Sequence, residues 1–132
     1  MSFIRPKTLA EVARRVLAGE DEFDPCLREF LDHFYLSDDA ERQRSIAARP
    51  SAMDPLRDAY IAATAEHLAR RWQLPVPAWT DDHGFALVRP HFSGGLESLK
   101  AILTVESPTA FRRRLLFVSA NALDRASMPR AS

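Results

Sequence analysis

Three consecutive arginines, Arg112, Arg113 and Arg114, stand in the run Ser107-Pro108-Thr109-Ala110-Phe111-Arg112-Arg113-Arg114-Leu115-Leu116-Phe117-Val118-Ser119, pressed between apolar side chains. A guanidinium is charged at every relevant pH and grips a carboxylate or phosphate through two parallel hydrogen bonds. Three in a row therefore call for an anionic partner or for carboxylates of the same chain. On a helix they would sweep roughly 200° of arc, so no single flat surface can take them all. Two are expected to face a partner while the third pairs with an acid of the N-terminal half. Trp79 follows Pro75 and Pro77 on a stiffened loop. Exposed, a rigid indole belongs to the residue type enriched at the centres of interfaces; covered, it is a lid over the core. This is chemistry of binding rather than of bond making.

Other reactive groups are sparse. The P-loop, G-x-G-x-x-G, G-x-S-x-G and H-E-x-x-H patterns are all missing from the sequence, so no cofactor is expected. Asp81, Asp82, His83 and His91 could offer a mixed oxygen and nitrogen set to a metal from one loop, although their spacing matches no ligand motif. Glu66 and His67 are adjacent, and on a helix adjacent side chains point about 100° apart, which rules against an acid–base pair. Cys26 is the single cysteine. It excludes an intramolecular disulfide and reads as a small core residue.

At 132 residues, with 46% apolar and 27% charged residues, the chain has the totals of a single folded domain, with a core expected over about 8–126. The net charge of zero hides an asymmetry. Residues 1–66 carry 9 Lys/Arg against 13 Asp/Glu, whereas residues 67–132 carry 9 against 5. Such a balance favours internal attraction over general affinity for a polyanion. The sequence contains neither a secretory h-region nor an apolar run long enough to span a bilayer, which points to a cytoplasmic protein without a membrane partner.

Helix signals dominate the elements that must position these groups. Thr8 and Glu11 make a capping box before Leu9, Val12, Ala13, Val16 and Leu17, and Gly19 stops the helix. Asp24-Pro25 opens a second helix with the stripe Leu27, Phe30, Leu31, Phe34 and Tyr35. Ser37 or Asp38 caps a polar helix running to about Ala48, and Asp54-Pro55 starts the longest one, about 55–73, with Glu66 and Arg70 paired at i, i+4. Residues 74–79 are expected to be extended, and 80–95 to form a single edge strand over Phe85 to Val88 or an ordered loop. Leu96, Leu99, Ile102 and Leu103 restore helical spacing, and Ser107-Pro108 starts another helix. That helix must break near Leu115, pass through Phe117, and give way to a short helix capped by Ser119, with the tail after Ala126 frayed. The expected fold is mostly all-α, a compact bundle of about six to seven helices with a Pro/Gly-containing irregular segment at 74–95.

The run Tyr60-Ile61-Ala62-Ala63-Thr64-Ala65-Glu66-His67-Leu68-Ala69-Arg70-Arg71 with Leu74-Pro75-Val76-Pro77-Ala78-Trp79 resembles a poorly characterised bacterial helical domain associated with toxin–antitoxin-type operons. So does Glu106-Ser107-Pro108-Thr109-Ala110-Phe111-Arg112-Arg113-Arg114 with Phe117 to Leu123, and the resemblance spans about residues 55–127. Members of that family stand alone or follow an Xre-type helix-turn-helix, and a neighbouring gene can encode a nucleotidyltransferase-like toxin. The resemblance implies a context and assigns no catalytic residue. This chain lacks the helix-turn-helix, since the acidic linker Gly19 to Asp24 would repel DNA phosphate.

Three functions follow as expectations. The first is a non-enzymatic, antitoxin-like or accessory module that binds a protein partner through Trp79, Arg112, Arg113 and Arg114. The second is nucleic-acid binding by the C-terminal quarter, where residues 107–130 hold five Arg against one acid, Asp124. The third is a metal-dependent enzyme at the 81–91 loop.

Overall fold

The computed structural model describes residues 4–93 and 100–129, and is mostly helical. Among the described residues there are six α-helices: α1 (Leu9–Leu17), α2 (Phe23–Leu36), α3 (Asp39–Ala47), α4 (Pro55–Arg71), α5 (Lys100–Glu106) and α6 (Thr109–Arg112). A 3-10 turn covers Ala78–Asp81, and two short strands, β1 (His91–Phe92) and β2 (Leu116–Phe117), pair in parallel with His91 opposite Leu116. The elements fall into two compact units. One is Met1–Met53 together with Leu123–Ser132, and the other is Asp54–Ala122.

In the first unit the helix starts are fixed by local oxygen atoms. Thr8 Oγ1 accepts the Glu11 N–H at 2.9 Å, and Asp38 Oδ1 accepts the Glu41 N–H at 2.9 Å, each satisfying an amide that the helix itself leaves unpaired. The return arm of the expected capping box lands one residue early, because Glu11 Oε2 accepts the Lys7 N–H at 3.2 Å rather than that of Thr8. Gly19 ends α1 with φ +73°, a conformation that costs glycine nothing. Helix α2 begins at Phe23, two residues before the Asp24-Pro25 start expected from sequence, with Glu22 at the cap making no side-chain bond. Pro25 tolerates the shift because the first-turn amides have no intrahelical acceptor. The stripe Leu27, Phe30, Leu31, Phe34 and Tyr35 is buried throughout, as its spacing requires.

The tail of this unit is tied down. Arg125 forks onto Asp32 (Nε to Oδ1 3.1 Å, Nη2 to Oδ2 2.9 Å), Ser127 donates to Asp32 Oδ1 at 2.6 Å, and Tyr35 donates to the Leu123 carbonyl at 2.7 Å. Fraying directly after Ala126 is therefore corrected: Ser127 and Met128, whose N–H meets the Arg125 carbonyl, are held.

In the second unit, Asp54 Oδ1 accepts the Arg57 N–H at 2.9 Å and Pro55 occupies the first turn, so α4 starts where the sequence put it. Its small residues Ala59, Ala62, Ala65 and Ala69 are fully buried and let α6 approach, with Phe111 edge-on to Tyr60 at 5.1 Å. The segment after α4 departs from expectation in three places. The extended path ends at Pro77, where the 3-10 turn begins; the strand lies at 91–92 rather than at 85–88; and residues 120–123 form a turn instead of a Ser119-capped helix. The expected break near Leu115 is present, with φ +62° at Leu115, and it sends Leu116 and Phe117 along β1 so that Phe92 and Phe117 stack at 4.7 Å. Leu96, Leu99 and the Gly94-Gly95 pair lie outside the described residues.

Candidate functional site

Glu66 sits on the buried side of α4, where a lone carboxylate would be costly. Three guanidiniums meet it. Arg114 Nη1 donates to Oε1 at 2.6 Å, Arg113 Nη1 to Oε1 and Oε2 at 2.9 and 3.0 Å, and Arg70 Nε to Oε2 at 2.7 Å. Arg114 also donates to the carbonyls of Ala110 (2.9 Å) and Thr80 (2.8 Å), and Arg113 Nη2 to Asp81 Oδ1 at 2.7 Å. The Glu66 and Arg114 side chains are only 1% and 3% exposed.

These contacts bind together α4, the 3-10 turn and the chain leaving α6. The short α6 allows it, because its single turn ends at Arg112 with Arg113 as its cap, and the chain turns away through Arg114 and Leu115, leaving both guanidiniums on Glu66. Burial alone would raise the Glu66 carboxyl, but hydrogen bonds from Arg114 and Arg70 and the charges of Arg114 and Arg113 outweigh it and hold the group below its ordinary value. Burial likewise opposes the charge on Arg113, yet Glu66 and Asp81 make it keep its proton more firmly than usual. A carboxylate with its lone pairs filled by guanidinium donors is a poor base. This cluster clamps α4, the 3-10 turn and the chain leaving α6 together.

The expected docking residues are thereby redistributed. Trp79 is 6% exposed and lies edge-on to Phe85 at 5.3 Å, so it is the lid and not an exposed indole. Arg114 is buried on Glu66 and Arg113 is held by two acids, so two of the three arginines pair with acids of the chain where one was expected to, and the grouping of Arg113 and Arg114 with a partner-binding face is corrected. Arg112 and Arg113 are both exposed, but Arg113 is tied to Glu66 and Asp81, whereas Arg112 donates Nη2 to Thr109 Oγ1 at 3.2 Å. On the 81–91 loop, Asp81 is committed to Arg113, while Asp82, His83 and His91 are exposed. Among the described residues no group of three or more His, Cys, Asp or Glu is placed to hold a metal ion. Glu66 and His67 diverge as expected, His67 lying near the Phe111 ring at 6.5 Å.

Cys26 is buried, and burial together with the Asp21 charge pushes its thiol up to about 11, which makes it inert rather than nucleophilic. Sequence reasoning missed the outer face of α5. Of the residues whose spacing marks this helix, Leu103 takes the core position, whereas Ile102 is 54% exposed and Val105, three residues on, is 79% exposed. A helical apolar pattern gives the spacing of a face and not what covers it. Comparison with known proteins returns no matching family model, no matching curated protein and no matching solved structure. Among the described residues no helix is long and apolar enough to cross a membrane.

Proposed function

We propose that the chain is a non-enzymatic interaction module, antitoxin-like or accessory, that binds a protein partner through the outer face of α5, with Arg112 a second contact. One observation carries the reading: Ile102 and Val105 stand three residues apart on one helix, on one face, and both face solvent. Single exposed apolar residues are ordinary, whereas a helical pair is the pattern that grooves on other proteins accept. The resemblance to operon-encoded helical domains supplies the partner's chemistry, a folded protein encoded beside this one, with a nucleotidyltransferase-like toxin as the expected product.

The nucleic-acid reading has less support, since Arg113, Arg114 and Arg125 of the basic quarter are each already matched to an acid. The test is co-purification with co-expressed neighbouring gene products. Ile102→Asp with Val105→Asp should weaken capture by about 30-fold or more while the circular dichroism stays unchanged. Capture at wild-type strength by that variant would remove α5 from the interface.

A further inference from the structure

A cleft of about 230 Å³ opens in the first unit, and four guanidiniums line it: Arg5, Arg15, Arg28 and Arg125. Two carboxylates, Asp21 and Glu29, share the lining, and both are already engaged. Glu29 Oε2 accepts from Arg5 Nε at 3.0 Å, and Asp21 lies 3.6 Å from Arg15. Arg15 is further fixed by Glu11 (2.9 Å) and by the Ile4 carbonyl (2.9 Å), and Arg125 is fixed by its fork on Asp32.

These bonds hold the arginines in place without exhausting them. Among the described residues, Arg5 keeps both Nη groups, Arg125 keeps Nη1, and Arg28 has no carboxylate partner. Pro25 and Cys26 bring the first turn of the fourteen-residue α2 to the same lining.

We infer that this cleft binds a small phosphate monoester. Guanidinium forks from separate chain positions match the several oxygens of a tetrahedral dianion better than the two of a carboxylate. Ile4, Pro6 and Pro25 give the cleft an apolar wall for the organic end. The volume lies below the usual range of about 300–1,000 Å³ for ligand pockets, which limits that end to a compact group. Arg5, Arg15 and Arg125 cost little to order on binding, because their acids have already immobilised them, and Arg28 is the one that must be ordered.

The test titrates the full-length ¹⁵N-labelled protein with glycerol phosphate, inorganic phosphate and glycerol, following backbone amides at low ionic strength. Glycerol phosphate should give saturable shifts centred on residues 4–6, 25–29 and 125, inorganic phosphate the same shifts with weaker affinity, and glycerol none. Arg28 is exposed and holds no other described residue in place, so Arg28→Ala should keep the fold and weaken the ester about tenfold. No saturable shift below about 10 mM ester, or undiminished binding by Arg28→Ala, would overturn the site. Equal affinity for ester and free phosphate would overturn the role of the apolar wall.

Discussion

Two carboxylates receive arginines from the C-terminal quarter of the chain, and they do so in different surroundings. Glu66 in the second unit is sealed from water and takes three guanidiniums, one of them equally buried. Asp32 in the first unit takes one guanidinium and one hydroxyl at the unit's margin, and Arg125 remains about one-third exposed. The residue types are the same, but the penalty for losing a partner is not. In water a stranded charge is resolvated; in the interior it keeps its full desolvation cost. Arginines that look alike in a sequence therefore divide into clamps, latches and free surface groups according to what surrounds them.

The contrast is sharpest in Glu66→Ala, which strands Arg114 in the interior and should destabilise the second unit by about 3–5 kcal/mol. Trp72 and Trp79 both belong to that unit, so the denaturant midpoint followed by tryptophan fluorescence reads it directly. Acid should erase the difference. The Glu66 pKa is lowered in the folded state from 4.5, so its contribution is complete above that pH and is lost as the pH falls through the depressed value. A wild-type advantage that persisted undiminished through acid titration would mean that the clamp acts through packing and not through charge.

Asp32→Asn should cost less, about 1–2 kcal/mol, because Arg125 can turn to solvent. Cys26 is the only thiol and is buried in the same unit, so its labelling rate reports opening there and should rise about tenfold. The hydrogen bond from Arg125, aided by Ser127 against the opposing effect of burial, lowers the Asp32 carboxyl from 3.8. Its contribution thus also fades on acidification, over a window starting lower than that of Glu66. The smallest effect belongs to Arg112→Ala, which should leave the tryptophan-monitored midpoint within about 0.5 kcal/mol of wild type. A larger loss would place Arg112 with the clamps and remove it from the surface proposed for a partner.

What the sequence made legible follows the range of the interactions. Thr8, Asp38 and Asp54 act on amides three residues away, so α1, α3 and α4 begin where a reader of the chain would begin them. The apolar stripe of α2 and the Glu66–Arg70 pair are equally local. Arg113 and Arg114 were singled out for sound chemical reasons but expected at a docking face, since Glu66 lies 47 and 48 residues away and periodicity holds no record of depth; the same lack of depth left Trp79 open as lid or exposed indole. The pairing of His91–Phe92 with Leu116–Phe117 involves two residues a side, too few to leave an alternating pattern. The arginine-lined cleft collects positions from 5 to 125 and has no sequence signature at all.

The distance between Glu66 and its arginines also sets an order of events during synthesis. Arg113 lies 47 residues beyond Glu66, so at ribosomal speeds the carboxylate waits roughly 2–10 s for its first long-range partner. Until then only Arg70, one turn along the same helix, can pair with it. Full desolvation of the Glu66 carboxylate therefore has to wait for the arginine triplet, whose Arg114 is the partner that shares its burial.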